Sequence, residues 1–176
     1  KKTASYSHEK MISTSTLGII GYGRIGKRLM QIAKTFGMKI LVYSNKPKER
    51  NASLKSIANK SDFVSVNLSL KNNTKNFIDK KFFAEMKKNS YFINTSKGAI
   101  VNYAHLLNFL GKNIKGAAID VYKIEKSNDP EVIRLCNHAK KNQNLIITPH
   151  VAGGTLDSVV TLQKHCLDII QNYFKT

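Results

Sequence analysis

The sequence predicts an α/β protein built on a doubly wound parallel sheet, with a layer of helices on each face. Short apolar runs recur along the chain, and stretches with apolar residues at helical spacing separate most of them. Nearly continuous apolar strands are typical of a parallel sheet that is buried on both faces, since parallel strands need crossover connections that cover it. A cluster of glycines directly after the first apolar run also fits this class, because such a fold turns tightly from its first strand into its first helix.

The predicted elements begin near residue 16. Residues 1–15 are polar and lack periodicity, so we assign them to a linker from a preceding domain, and residues 16–176 to one α/β domain. The first strand ends at Ile20, and apolar residues spaced from Ile25 to Phe36 predict the first helix. Further strands are predicted at 39–43, 63–66, 91–94, 116–119 and 145–148, and a last helix with an apolar side at 155–174.

The composition argues against a membrane protein and against a metal or disulfide protein. A chain of 176 residues with 41% hydrophobic residues can bury one core, and no apolar run is long enough to cross a bilayer. Cys136 and Cys166 lie far apart and fit no metal or redox spacing. We therefore expect a cytoplasmic protein without a metal site.

The net charge of +18 raises the question of a nucleic-acid partner. The basic residues are 25 Lys and only 4 Arg, spread along a chain that also holds 17 Asn. Arginine is the residue favoured for forked contacts with phosphates and bases, so its scarcity argues against nucleic acid. The charge instead favours solubility and attraction of anionic cofactors.

Gly21, Gly23 and Gly26 form the pattern G-x-G-x-x-G between the first strand and the first helix. In this position the first glycine permits the turn, the second lets a pyrophosphate approach the backbone, and the third allows close packing of helix on strand. The sequence therefore predicts a Rossmann fold that binds a dinucleotide at the start of its first helix.

The end of the second strand bears on the choice between NAD and NADP. An NAD enzyme usually carries an acidic residue there for the adenosine ribose, whereas this chain has Ser44. Glu49 is the only nearby carboxylate, and its position after Pro47 makes it a poor substitute. We therefore expect NADP, or use of both cofactors; the alternative is that the neighbouring cations are ordinary solvated loop residues. The polar and cationic residues concerned are Asn45, Lys46, Lys48 and Arg50.

Four further segments resemble those of the D-isomer-specific 2-hydroxyacid dehydrogenases, a family that includes phosphoglycerate, D-lactate and glyoxylate/hydroxypyruvate dehydrogenases. The resemblance covers nearly everything from Leu17 onwards. It implies hydride transfer between a nicotinamide cofactor and a small 2-hydroxy or 2-oxo acid, a separate substrate domain and a homodimer. The segments are 61–70 with Thr74, 92–101, 116–122 with Glu125, and 148–154.

The resemblance also implies roles for three catalytic residues. His150 would be the proton donor in reduction and the base in oxidation, and Glu125 would orient its ring. The family has an arginine where this chain has Lys97, which keeps a positive charge for the substrate carboxylate but loses the planar fork. Lys97 therefore favours a second hypothesis, a regulatory module that senses nicotinamide nucleotides, whereas the presence of both His150 and Glu125 favours an enzyme.

The remaining residues implied by the resemblance are contacts to the cofactor. Arg24 and Ile25 would offer backbone amides to the pyrophosphate, and Asp120 would take the nicotinamide carboxamide. The other implied contacts are Asn67, Leu68, Thr74, Thr95, Ser96 and Gly153.

Overall fold

Six strands form one parallel sheet in the computed structural model, which describes residues 10–122 and 129–174. The strands are β1 Thr16–Ile20, β2 Lys39–Tyr43, β3 Phe63–Val66, β4 Ser90–Asn94, β5 Ile114–Ile119 and β6 Leu145–Ile147. The helices are α1 Arg24–Thr35, α2 Leu54–Lys60, α3 Lys80–Glu85, α4 Tyr103–Phe109, α5 Pro130–Lys141 and α6 Leu156–Tyr173. The α/β class is thus confirmed.

The predicted strands agree with the structure to within one or two residues at each end. The last strand is predicted to reach Thr148 and ends at Ile147. Thr148 still donates its N–H to the Ile119 carbonyl at 3.0 Å, but Pro149 follows and has no N–H to continue the pairing.

The sheet order is β2-β1-β3-β4-β5-β6, with every neighbouring pair parallel. β1 pairs with β2 on one side and with β3 on the other, so the chain reverses its direction of travel across the sheet at β1. In open α/β sheets a ligand binds outside the carboxyl ends of the strands at such a reversal. The topology therefore predicts a ligand site among the loops that follow β1, β2 and β3.

Two separate cores lie on the two faces of the sheet. Ile20 belongs to the core beneath α2, α3, α4 and α5, whereas Ile19 faces the opposite core beneath α1, because successive strand residues point to opposite faces. Both side chains are fully buried, and burial of an aliphatic side chain of this size contributes about 1.5–3 kcal/mol. The larger core also contains Phe83, Phe92 and Leu106.

The sheet face that α1 occupies is open over β3 to β6 in the described residues. Two cavities of about 300 and 460 Å³ lie on it, and Ile146 in the edge strand is 62% exposed. α6 is confirmed as a helix, but its apolar side chains are exposed along its whole length. None of the helices in the described ranges is long and apolar enough to span a membrane.

Candidate cofactor and active site

The glycine turn after β1 is packed against the end of β3. Gly21 has a φ of +100°, and its N–H donates to the Tyr43 carbonyl at 2.9 Å. A Cβ at this position would lie 2.5 Å from the backbone oxygen of Asn67. Both the positive φ and the close approach require glycine, as the sequence pattern predicts.

The other two glycines of the motif differ in their surroundings. Gly26 lies in the first turns of α1, where a Cβ would stand 2.2 Å from the Gly21 carbonyl oxygen, so it lets the helix pack onto the turn. Gly23 is the N-cap of α1 and faces open space, with nothing within 4 Å of its Cβ position. In the described part of the chain no side chain caps this helix, and its first turn holds no acidic residue. The free N–H groups and the helix dipole make this end attractive to an anion.

A cleft of about 520 Å³ opens at this helix end. It lies between the loops that follow β1, β2 and β3, where the topology places a ligand. The structure thus brings together nine of the predicted cofactor contacts, while Ile25 is 68% exposed beside the cleft and Gly26 lies beneath the turn. The nine are Gly21, Gly23, Arg24, Ser44, Asn45, Lys46, Asn67, Leu68 and Thr74.

Five residues line the cleft that the sequence did not single out as contacts, and two of them are cationic. Together with Arg24 and Lys46, they put four positive side chains around the cleft, which suits a diphosphate. Lys27 could have been predicted, since it lies one helical turn after Gly23. Lys71 lies on an irregular loop, where no periodic pattern indicates its direction. The five are Tyr22, Lys27, Glu49, Ser69 and Lys71.

Glu49 contributes the carboxylate of the cleft. The sequence makes it a poor candidate, yet the 3-10 turn Pro47–Glu49 directs its side chain back to the end of β2. One oxygen accepts from Lys27 Nζ at 3.0 Å and the other from Ser44 Oγ at 3.4 Å. The hydrogen bond from Lys27 lowers the pKa of Glu49, so the side chain is ionised at neutral pH.

A second group of predicted residues follows β4, on a turn fixed by a buried amide. The Asn94 side chain is fully buried and accepts from Ser96 N at 3.0 Å and Ser96 Oγ at 2.8 Å. It donates to the Tyr103 hydroxyl at 2.9 Å, which in turn donates to the Val121 carbonyl at 2.6 Å. Burial raises the pKa of Tyr103, so it remains a neutral donor. Asn94 thus fixes the base of the turn that carries Thr95 and Lys97, both exposed, and Ser96, which is half-buried.

A third group follows β5 and β6, and Asp120 organises it. Its carboxylate accepts from Thr148 Oγ1 at 2.5 Å, Val151 N at 2.9 Å and Ala152 N at 3.1 Å. These bonds, led by that from Thr148, lower the pKa of Asp120, and the charge of His150 adds to the effect. Asp120 therefore holds the loop that carries His150, and the carboxamide contact stays a prediction.

His150 projects from this loop in an uncommon backbone conformation. Its φ is +57°, and its N–H donates to the Asp120 carbonyl at 3.0 Å. A non-glycine residue in the left-handed region costs of the order of 1 kcal/mol, which the surrounding hydrogen bonds must offset. The side chain is exposed, and nothing lies within 4 Å of the Cβ position of Gly153 on the same loop.

The structure therefore brings the predicted residues to one edge of the sheet, in two neighbouring regions. The first region is the cleft beyond β1, β2 and β3, and the second consists of the loops after β4, β5 and β6, which carry Lys97, Asp120 and His150. Glu125 lies outside the described residues. Within the described ranges no group of three or more His, Cys, Asp or Glu could hold a metal ion.

Comparison with known proteins identifies one family. Residues 2–152 match the family model described as D-isomer specific 2-hydroxyacid dehydrogenase, NAD binding domain. The chain is 35% identical over 163 residues to the glycerate dehydrogenase of Methylorubrum extorquens, covering 92% of this chain and 51% of that protein. It spans about half the length of the curated relatives it matches.

Two solved structures share the fold. A D-isomer-specific 2-hydroxyacid dehydrogenase of Lactobacillus delbrueckii, in its NAD-complexed form, superposes with a TM-score of 0.85 at 29% identity, over 94% of this chain and 54% of that one. The D-lactate dehydrogenase of Aquifex aeolicus, complexed with NAD and lactic acid, gives 0.85 at 25% identity over 99% of this chain and 57% of that one.

Proposed function

Because the chain belongs to the D-isomer-specific 2-hydroxyacid dehydrogenases and comprises their NAD-binding domain, we propose that it holds a nicotinamide dinucleotide for the oxidation of a small D-2-hydroxy acid or the reduction of its 2-oxo acid. The observation that carries this proposal is the uncapped start of α1, which opens into a cationic cleft at the reversal of the sheet. The amides of Gly23, Arg24 and Ile25 bind the diphosphate there.

The loops after β4, β5 and β6 supply the chain's own chemistry. The bound nicotinamide supplies or takes up the hydride. His150 gives its proton to the carbonyl oxygen of the 2-oxo acid and takes it back in the reverse direction. Asp120 is a positioning residue, since it fixes the loop on which His150 stands. Glu125 is proposed to orient the His150 ring.

Lys97 is proposed to bind the substrate carboxylate. It stands exposed after β4, on the turn that Asn94 fixes, and its ammonium provides one point charge. An arginine would offer two parallel donors, so lysine orients the carboxylate less tightly. We expect a slower enzyme rather than an inactive one. The proteins named above are dehydrogenases, which favours this function over the regulatory module.

The cofactor is NAD(H) or NADP(H), and the cleft contains features that favour each. The sequence favours NADP because Ser44 replaces an acid and cations follow it. Lys46 lines the cleft and supports that choice, whereas the Glu49 carboxylate in the same cleft opposes it.

The surfaces left open support two further proposals about assembly. The open face of the sheet and one side of α6 both expose apolar side chains, and exposed apolar patches mark interaction sites. We propose that a substrate-binding domain and a second copy of the chain cover them, giving a cytoplasmic homodimer in which residues 1–15 form the linker between domains.

Titration with NADH tests the proposed function. The chain should enhance and saturate NADH fluorescence, and a preparation that includes the substrate-binding half should oxidise NADH or NADPH with glyoxylate, hydroxypyruvate, pyruvate or 3-phosphohydroxypyruvate. Binding of neither dinucleotide would overturn the proposal. Binding without turnover of any of the four acids would favour the regulatory module.

A further inference from the structure

We infer that Glu49 selects the cofactor: its carboxylate accepts hydrogen bonds from the adenosine ribose hydroxyls and excludes a 2′-phosphate, so that the chain prefers NAD(H) to NADP(H). The inference rests on the proposed function, since it concerns the same cleft, and it replaces the expectation of NADP drawn from the sequence.

The loop after β2 brings the Glu49 carboxylate to the end of that strand. Glu49 N donates to the Lys46 carbonyl at 3.0 Å, which closes the 3-10 turn and sends the side chain back towards Ser44. The carboxylate then meets Ser44 Oγ at 3.4 Å, at the end of β2, where a dinucleotide fold needs its ribose acceptor. Glu49 thus supplies the carboxylate that is missing at the end of β2, where Ser44 stands.

The carboxylate has capacity for the ribose. Its two oxygens offer about four acceptor positions, and the structure uses one for Lys27 and one for Ser44. Two positions therefore remain for the 2′- and 3′-hydroxyls. The Lys27 ammonium also keeps Glu49 ionised, which strengthens hydrogen bonds to it.

The cations near Glu49 are not gathered into a phosphate site. Of the three that follow Ser44, only Lys46 lines the cleft. The Arg50 guanidinium lies over the Tyr43 ring, 5.9 Å from its centroid, and Lys27 is held by Glu49 itself. A 2′-phosphate bound at the end of β2, with a charge of about −1.5 to −2, would therefore be repelled by the Glu49 carboxylate.

The test compares the two dinucleotides on Glu49→Gln, with Glu85→Gln as a control. Glu85 lies on α3 and lines a different cavity, so the control makes the same change in charge away from the cleft. Dissociation constants for NADH and NADPH are measured by fluorescence titration, and circular dichroism with thermal unfolding verifies that each variant is folded. A third ligand, NADH with a 2′-deoxyadenosine moiety, removes one of the two hydroxyls that Glu49 is proposed to bind.

Wild type and Glu85→Gln should bind NADH at least tenfold more tightly than NADPH. Glu49→Gln should lose about 10–100-fold in NADH affinity, the cost of a hydrogen bond to a charged group, while NADPH binding stays equal or tightens. The loss on substitution should be smaller with the 2′-deoxy analogue than with NADH, because only the 3′-hydroxyl remains to bind Glu49.

The inference is overturned if folded Glu49→Gln keeps the wild-type ratio of the two constants within twofold, or if wild type prefers NADPH; in both cases dinucleotide binding, and so the proposed function, survives. If wild type binds none of the three ligands, the proposed function fails and the assignment of Glu49 fails with it.

Discussion

Gly23 and Gly26 stand three residues apart in one motif, yet the structure predicts opposite consequences for alanine at the two positions. At Gly26 the added Cβ would lie 2.2 Å from the Gly21 carbonyl oxygen, whereas ordinary contact begins near 3.4 Å. Helix and turn must therefore separate by about 1.2 Å. Overpacking of this kind costs about 1–3 kcal/mol, which for a chain of this size lowers the melting temperature by roughly 2–12 °C.

At Gly23 the same substitution meets nothing within 4 Å, and the φ of −81° suits an L-residue. The loss of glycine at an N-cap and the reduced entropy of the unfolded chain are each below about 1 kcal/mol and opposite in sign. The melting temperature should therefore change by no more than about 3 °C. The new methyl group, however, projects into the cleft where the diphosphate approaches, so NADH affinity should fall at least about tenfold, as for the loss of one charge-assisted hydrogen bond.

Two assays separate the effects. Thermal unfolding without nucleotide should lower the midpoint for Gly26→Ala and leave that of Gly23→Ala near wild type. NADH titration at a temperature where both variants are folded should show the loss for Gly23→Ala. Wild-type affinity in Gly23→Ala would refute the placement of the diphosphate at this helix end, and a wild-type midpoint in Gly26→Ala would refute the packing of helix on turn.

Three further outcomes follow from hydrogen bonds and charges in the structure. Although burial raises the pKa of Asp62, hydrogen bonds from two lysines and a backbone N–H lower it from 3.8 to about 2. In thermal unfolding, Asp62→Asn should therefore cost about 1 kcal/mol of stability at pH 7, and this advantage of wild type should be complete above about pH 4 and lost as the pH falls to about 2. The control, Asp168→Asn on exposed α6, should show no such difference. Asp120→Asn removes an acceptor of the loop N–H groups, so amide exchange next to His150 should accelerate about tenfold or more with a melting temperature within a few degrees of wild type; unchanged exchange would contradict the positioning role. In a preparation with both domains, Lys97→Arg should raise kcat/KM for a 2-oxo acid about tenfold or more, and no gain with any such acid would count against Lys97 as the carboxylate ligand.

Most of the fold was predictable because its signals are local. Apolar runs placed the strands, and the steric demands on Gly21 and Gly26 are expressed in the motif itself. The direction of the Glu49 side chain was not predictable, since it depends on a single 3-10 turn that no periodicity indicates. The role of Asn94 was not predictable either, because in the sequence it is an ordinary polar residue at a strand end, and its partner Tyr103 is brought to it only by the fold.

The surroundings of α6 could not be predicted from its sequence. Helical spacing predicted the helix and its apolar side, but the described residues leave that side exposed. A periodic pattern predicts that one face of a helix is buried, but it does not identify the surface that buries it. The sequence of the helix alone could therefore give its bounds and not its environment.

The backbone amide spectrum of ¹⁵N-labelled protein during titration with NADH tests whether the diphosphate binds at the start of α1. We expect saturable shifts centred on the amides of Gly23, Arg24 and Ile25, with the loop around His150 shifting at the same ligand concentration. Saturable shifts confined to another surface, with those three amides unmoved, would contradict it.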